Sequence, residues 1–321
     1  MISFSEAIEQ TADEDRALLI GNGFSSKYTS YSTLLSKSGL EEGSDLRSLF
    51  DALETVDFEA VVHSLEQAAI VEMAYGNAVH SNELVTDAQK VREALVNAVR
   101  TTHPAHRDEL AAYYESGASF LSNFKKVFTL NYDLLLYWVN LESRHLSDGF
   151  GKGTDADNFK GPFYEDAWCD IYNLHGGLHL FQDDRGDVIK ALNGGDGVIA
   201  TITKTIVERK RLPVYVAEGS SNAKMLKINS VGYLRHCYDE LLSNTASHLF
   251  VYGHSADDND AHIYRAIFSS GVKKVYFGVY KPTEEKIRVF RGQLARHKEL
   301  GGRSIDFTFY DAASADLWAD A

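Results

Sequence analysis

Four short segments carry the side chains that could do chemistry. The first is Gly21-Asn22-Gly23-Phe24-Ser25, where the glycines let the backbone bend sharply and a ligand approach with no Cβ in the way. A helix starting at such a bend aims free N–H groups and the positive end of its dipole at it, which suits a phosphate. The second segment is Asn131-Tyr132-Asp133, an amide and a carboxylate two residues apart. The third is His175-Gly176-Gly177, a histidine backed by two glycines. The fourth is Gly253-His254-Ser255, followed by the acidic run Asp257-Asp258-Asn259-Asp260. Carboxylates such as Asp258 and Asp260 repel phosphates and suit sugar hydroxyls, helix caps or solvent.

Each segment also has a plain structural use. The first reads Gly-x-Gly-x-x-Ser, short of the full Gly-x-Gly-x-x-Gly dinucleotide fingerprint, and Gly and Ser are ordinary at strand-to-helix turns. Asn131 and Asp133 could cap the following helix. His175 could be a satisfied core histidine, and Ser255 with Asp258 another cap.

What sets the four apart is where they fall. Each follows an apolar run: Ala17-Leu18-Leu19-Ile20, Lys126-Val127-Phe128-Thr129-Leu130, Asp170-Ile171-Tyr172-Asn173-Leu174 and His248-Leu249-Phe250-Val251-Tyr252. Two further runs, Lys274–Tyr280 and Ile305–Tyr310, complete the set. Continuous apolar runs are the mark of parallel strands buried on both faces. Helical stretches near 132–146, 230–245, 260–271 and 283–298 separate most of them. The pattern predicts an α/β fold with a doubly wound, mostly parallel sheet, and such sheets bind ligands beyond the C-terminal ends of their strands. A parallel sheet brings all four segments to one edge.

Between the first two strands, residues 45–122 carry apolar positions at helical spacing: Phe58, Val61, Val62, Leu65 and Ala69, then Leu84, Ala88, Val91, Leu95 and Val99. This predicts a helical insertion within a single domain spanning 1–321. Leu178–Phe181 and Val188–Leu192, joined by a polar turn, read as a hairpin, and Pro213 as the opening of a strand.

Composition bounds the rest. The chain has 321 residues, 44% of them hydrophobic, and a net charge of -14. So acidic a surface disfavours direct nucleic-acid binding. No apolar run is long enough to span a bilayer, no secretory leader is visible, and a cytoplasmic location is the expectation. The two cysteines, Cys169 and Cys237, make neither a disulfide framework nor a four-cysteine zinc site, so no metal is expected. His175 and His179 are four apart, but Gly176 and Gly177 argue against a shared helical face.

The order Gly-x-Gly-x-Ser, Thr129-Leu130-Asn131-Tyr132-Asp133, His175-Gly176, Gly253-His254-Ser255 resembles the sirtuin superfamily. It is most similar to bacterial sirtuin-like domains of unknown function, of the kind found in anti-phage defence NAD hydrolases. Asp148–Gly151, Leu174–Leu180 and Pro213–Ser221 look like one such family. The resemblance covers most of the chain and implies a Rossmann-like sheet with NAD as substrate or ligand. It implies that Asn131 faces the nicotinamide ribose and the reacting water, that Asp133 contacts the carboxamide, and that His175 is a general base near the ribose hydroxyls. It further implies that Gly21, Asn22, Gly23, Phe24 and Ser25 hold the pyrophosphate. Gly253, His254 and Ser255 would lie near phosphate or adenine ribose, with Asp258 and Asp260 beside them.

The departures narrow the activity. The zinc module of the deacylases needs four cysteines, and the segment Gly-Ile-Pro-Asp-Phe-Arg that follows their first motif is replaced here by Lys27-Tyr28-Thr29-Ser30-Tyr31-Ser32. Both argue against deacylation and leave NAD hydrolysis or ADP-ribose transfer. Two readings stand: an NAD glycohydrolase triggered by homo-oligomerisation or a protein partner, and a non-catalytic sensor of NAD or ADP-ribose. Ser220, Ser221 and Lys224 form a further polar cluster, either a phosphate contact or a solvated loop.

Overall fold

The computed structural model describes residues 1–28, 34–143, 145–154 and 159–318. In chain order its strands are β1 (Arg16–Ile20), β2 (Lys126–Thr129), β3 (Phe150–Thr154), β4 (Phe159–Phe163), β5 (Ile171–Asn173), β6 (Gly176–Gln182), β7 (Val188–Ala191), β8 (Pro213–Tyr215), β9 (His248–Tyr252), β10 (Lys274–Val279) and β11 (Asp306–Asp311). Six of them form one sheet in the order β11-β10-β9-β1-β2-β5, with every pairing parallel. The chain lays β2 and β5 on one side of β1, then crosses to lay β9, β10 and β11 on the other. The order therefore reverses at β1, where doubly wound folds open their ligand crevice.

The apolar run of β1 explains its central place. Successive side chains of a strand point to opposite faces. Leu18 and Ile20 enter one buried cluster, with the helices of the insertion. Ala17 and Leu19 enter the other, with Ile263, Ile267 and Leu294. Both faces of the sheet are covered, so no polar residue interrupts the strand.

Between β1 and β2 run the helices Asp45–Ala52, Phe58–Ala74, Ala78–Thr102 and Tyr114–Leu121. Phe58, Val61, Val62, Leu65 and Ala69 are buried, as are Ala88, Val91, Leu95 and Val99. These stripes join the same buried cluster as Leu18 and Ile20.

The expected hairpin is present as β6 and β7, paired antiparallel. It belongs to a second sheet, β3-β4-β7-β6-β8, in which every pairing is antiparallel. This second sheet is the main addition to the sequence reading. Its strands β3 and β4 are broken by glycines and hide their alternation. Pro213 opens β8 at the sheet edge, where its missing N–H costs no ladder bond.

One local expectation is corrected. No helix starts at the Gly21–Ser25 bend; Asn22–Phe24 is a single 3-10 turn, and the next described helix is Leu34–Lys37. The replaced segment after the first motif runs on into 29–32, outside the described residues.

Candidate active site

The C-terminal ends of β1, β2, β5 and β9 meet around one cavity of about 230 Å³. Its lining includes Asn22, Tyr132, His175, Lys224, His254 and Asp260. The bend after β1 and the bend after β9 touch backbone to backbone. Gly21 N–H donates to Tyr252 O at 2.9 Å and Gly23 N–H to Gly253 O at 2.7 Å. A Cβ on Gly23 would lie 2.5 Å from Gly253 Cα, and Gly253 itself has φ +72°. The glycines thus serve this crossing. Phe24 N–H and Ser25 N–H are also committed, to Gly21 O and Asn22 O, so the turn keeps few amides for an anion.

Ser25 faces inward and accepts a hydrogen bond from Asn131 Nδ2 at 3.0 Å. Asn131 is buried, and its Oδ1 has no partner among the described residues. An acceptor left unmatched in the interior costs about 1–3 kcal/mol unless something donates to it. Asp133 turns elsewhere: its Oδ1 accepts from Leu135 N–H at 2.9 Å. Phe24 is fully buried with its ring 5.2 Å from Trp318, whose Nε1–H donates to Phe24 O at 2.6 Å.

His175 sits where β5 gives way to β6. Gly176 makes the bend possible, with φ +71° and no room for a Cβ, which would fall 2.1 Å from Val214 O. His175 Nε2 lies 3.3 Å from His262 Nε2 and 3.8 Å from Asp260 Oδ1. Burial lowers the His175 imidazole to about 3, against the opposing pull of the Asp260 charge. Burial likewise brings His262 down to about 4. Both are neutral at pH 7.

Asp260 is the electrostatic centre. Lys224 Nζ sits 2.9 Å from Oδ1, and His254 Nε2 lies 3.2 Å from Oδ2. Because His254 Nδ1 accepts from Ala256 N–H at 2.9 Å, the neutral ring carries its proton on Nε2 and donates it to Asp260. Burial alone would raise the Asp260 carboxyl, but the His254 hydrogen bond and the Lys224 charge hold it well below the usual range. Lys224 is the one cationic side chain described in the lining, and Glu218 stands 3.8 Å from its Nζ.

The remaining sequence candidates lie at the rim. Ser255 Oγ–H donates to Asp257 Oδ2 at 2.6 Å, and Asp258 pairs with exposed Arg296. His179, four residues from His175, stacks on Tyr137 with 4.9 Å between centroids and takes no part. Sequence reasoning missed Tyr132 as a wall and His262 as the partner of His175. Only the two-residue spacing from Asp260 to His262 hinted at the latter. Lys224 of the further polar cluster is brought in, held by a helix whose N-cap is Ser220.

Among solved structures the chain is similar to a Sir2 homolog–NAD complex, at 12% identity over 93% of this chain and 96% of that one, TM-score 0.39. It is similar to a structure described as the structural basis for sirtuin substrate affinity, at 15% identity over 94% and 100%, TM-score 0.37. A third, on the mechanism and regulation of Sir2 enzymes, matches at 13% identity over 92% and 97%, TM-score 0.38. At these values the likeness carries no argument about the site. No curated protein matches the chain. The family described as "Domain of unknown function (DUF4917)" matches residues 18–318.

Proposed function

The chain belongs to that domain family of unknown function, DUF4917, and on this premise we propose that it processes NAD, most simply as a glycohydrolase. The reading is carried by one observation: a buried neutral imidazole, His175, lines a polar cavity at the strand ends of a parallel sheet, and a buried amide with an unmatched acceptor, Asn131, follows the neighbouring strand between the lining residues Leu130 and Tyr132.

In the reaction the bond from ribose C1′ to the nicotinamide nitrogen breaks and nicotinamide leaves with the bonding pair as a neutral molecule. No strong acid is needed there. The ribose passes through an oxocarbenium-like state, as in glycoside cleavage. Water adds to C1′ and gives up a proton, so the products are nicotinamide, ADP-ribose and one proton. Asn131 Oδ1 would orient the water or a ribose hydroxyl; His175 would accept the proton from a hydroxyl through an unprotonated ring nitrogen. Lys224 would meet the pyrophosphate.

The cavity is small for a dinucleotide. At about 230 Å³ it takes one ribose with its base and leaves the rest of NAD at the rim. That size, with the committed amides of the Gly21–Ser25 turn, is what favours the second reading, a sensor that binds NAD or ADP-ribose without turnover. The resemblance to defence proteins supports a role in which turnover waits on self-association or a protein partner. The inserted helices offer exposed Ile70, Met73, Tyr75 and Val79 for such a contact. No described helix is long and apolar enough to cross a membrane.

Chromatographic detection of nicotinamide and ADP-ribose after incubation with NAD tests the proposal. Thermal stabilisation by NAD without product would favour the sensor.

A further inference from the structure

His175 and His262 arrive from different elements, the end of β5 and the first turn of the helix Ala261–Ser269, yet present the same ring nitrogen to each other. Their ring centroids lie 5.5 Å apart with 21° between the planes, so the rings meet nearly end to end. Two neutral imidazoles meeting through Nε2 either share a single proton or give both lone pairs to a cation. The 3.3 Å between these nitrogens is within reach of an N–H···N bond and accommodates the second case as well: two imidazoles on one tetrahedral zinc, each bonded at about 2.0–2.1 Å, hold their nitrogens about 3.3 Å apart.

A third donor is in place. The ligand atoms of His175, Asp260 and His262 all lie within 4.8 Å of one another. The supporting contacts are those that orient metal ligands. Ser221 Oγ lies 3.1 Å from His262 Nδ1, so the outward nitrogen is occupied and Nε2 faces His175. His254 Nε2–H holds Asp260 Oδ2, which leaves Oδ1 on the histidine side.

We propose that His175, His262 and Asp260 form a three-ligand site for a divalent cation of the zinc class, with its fourth position toward the cavity. Two nitrogens and one oxygen select zinc, cobalt, nickel or copper over magnesium or calcium. Lys224 is the built-in competitor, because its ammonium rests on the same Asp260 oxygen. Metal entry moves that ammonium toward Glu218, 3.8 Å away. A cation on His175 Nε2 removes the lone pair that the glycohydrolase reading assigns to the base, so the cation inhibits. This consequence rests on that reading; the site itself does not.

The test is titration of the purified chain with Co²⁺, read by the visible absorption of tetrahedral cobalt, with Zn²⁺ competition and elemental analysis for stoichiometry. The expected result is one cation per chain, at least tenfold weaker binding in His262→Ala and in Asp260→Asn, and about tenfold tighter binding in Lys224→Gln. Ser221→Ala, which removes only the supporting contact, weakens binding and serves if a ligand variant fails to fold. Absence of stoichiometric cobalt or zinc in the wild type, or wild-type affinity in both Ser221→Ala and His262→Ala, overturns the site. NAD turnover measured with and without Zn²⁺ is a separate arm. Stoichiometric zinc with undiminished turnover overturns the inhibition, while a chain that never cleaves NAD still answers through cobalt.

Discussion

His175 Nε2 faces His262 Nε2 across 3.3 Å, although 87 residues separate them in the chain. The contact fixes how the edge of the parallel sheet is built. One histidine follows β5, the other begins the helix after β9 on the opposite side of β1, and Asp260 sits between them and Lys224.

Asp260→Asn is expected to destabilise the fold by about 3 kcal/mol, because it leaves the buried Lys224 charge without its near carboxylate and with only Glu218, 3.8 Å away. Lys224→Met added to Asp260→Asn should recover most of the loss. Urea unfolding of the three variants checks this. A double variant no more stable than Asp260→Asn would show that the pair is not coupled.

Gly23→Ala places a Cβ 2.5 Å from Gly253 Cα, against backbone that cannot swing away. The expected cost is about 1–3 kcal/mol, as for other overpacked sites. A thermal midpoint equal to the wild type would contradict the crossing of the two bends as described.

Stability should fall on acidification through the buried histidines. His179 is lowered to about 3 by burial, and the Lys190 charge adds to this. The unfolded chain, with the group near its ordinary 6.5, takes up the proton first. The stabilisation is therefore complete above about pH 6.5 and is lost as the pH falls toward 3, at about 1.4 kcal/mol per pH unit for one such histidine. His179→Phe keeps a ring against Tyr137 and should flatten the slope of unfolding free energy between pH 6.5 and 4.5 by roughly one proton. An unchanged slope would mean the ring is already charged in the folded state.

Much of this architecture is legible in the sequence because buried parallel strands are continuous apolar runs. Leu18 to Ile20 and Leu249 to Tyr252 announce themselves, and the polar residues that end them stand out by contrast. The helices between β1 and β2 are equally plain from their repeating apolar stripes. His262 is not legible, since it sits among Ile263, Tyr264, Ala266 and Ile267 as one more helical position, and only packing places it opposite His175. The second sheet is faint for a different reason. Gly161 is there because Ile189 Cγ2 would stand 2.3 Å from any Cβ, so a glycine that packs two strands together reads in isolation as a loop. The Gly23 amide that a phosphate would need is taken instead by the Gly253 carbonyl. No local rule relates those two positions.

The central claim is that Asn131 and His175 serve one reaction on NAD. The measurement that tests it most directly is NAD consumption, with nicotinamide and ADP-ribose separated by chromatography, across a range of protein concentrations for wild type, Asn131→Ala and His175→Ala. The predicted result is equal amounts of the two products from the wild type and a loss of about 10²-fold or more in each variant. No product from the wild type at any concentration, or undiminished turnover in both variants, would contradict it.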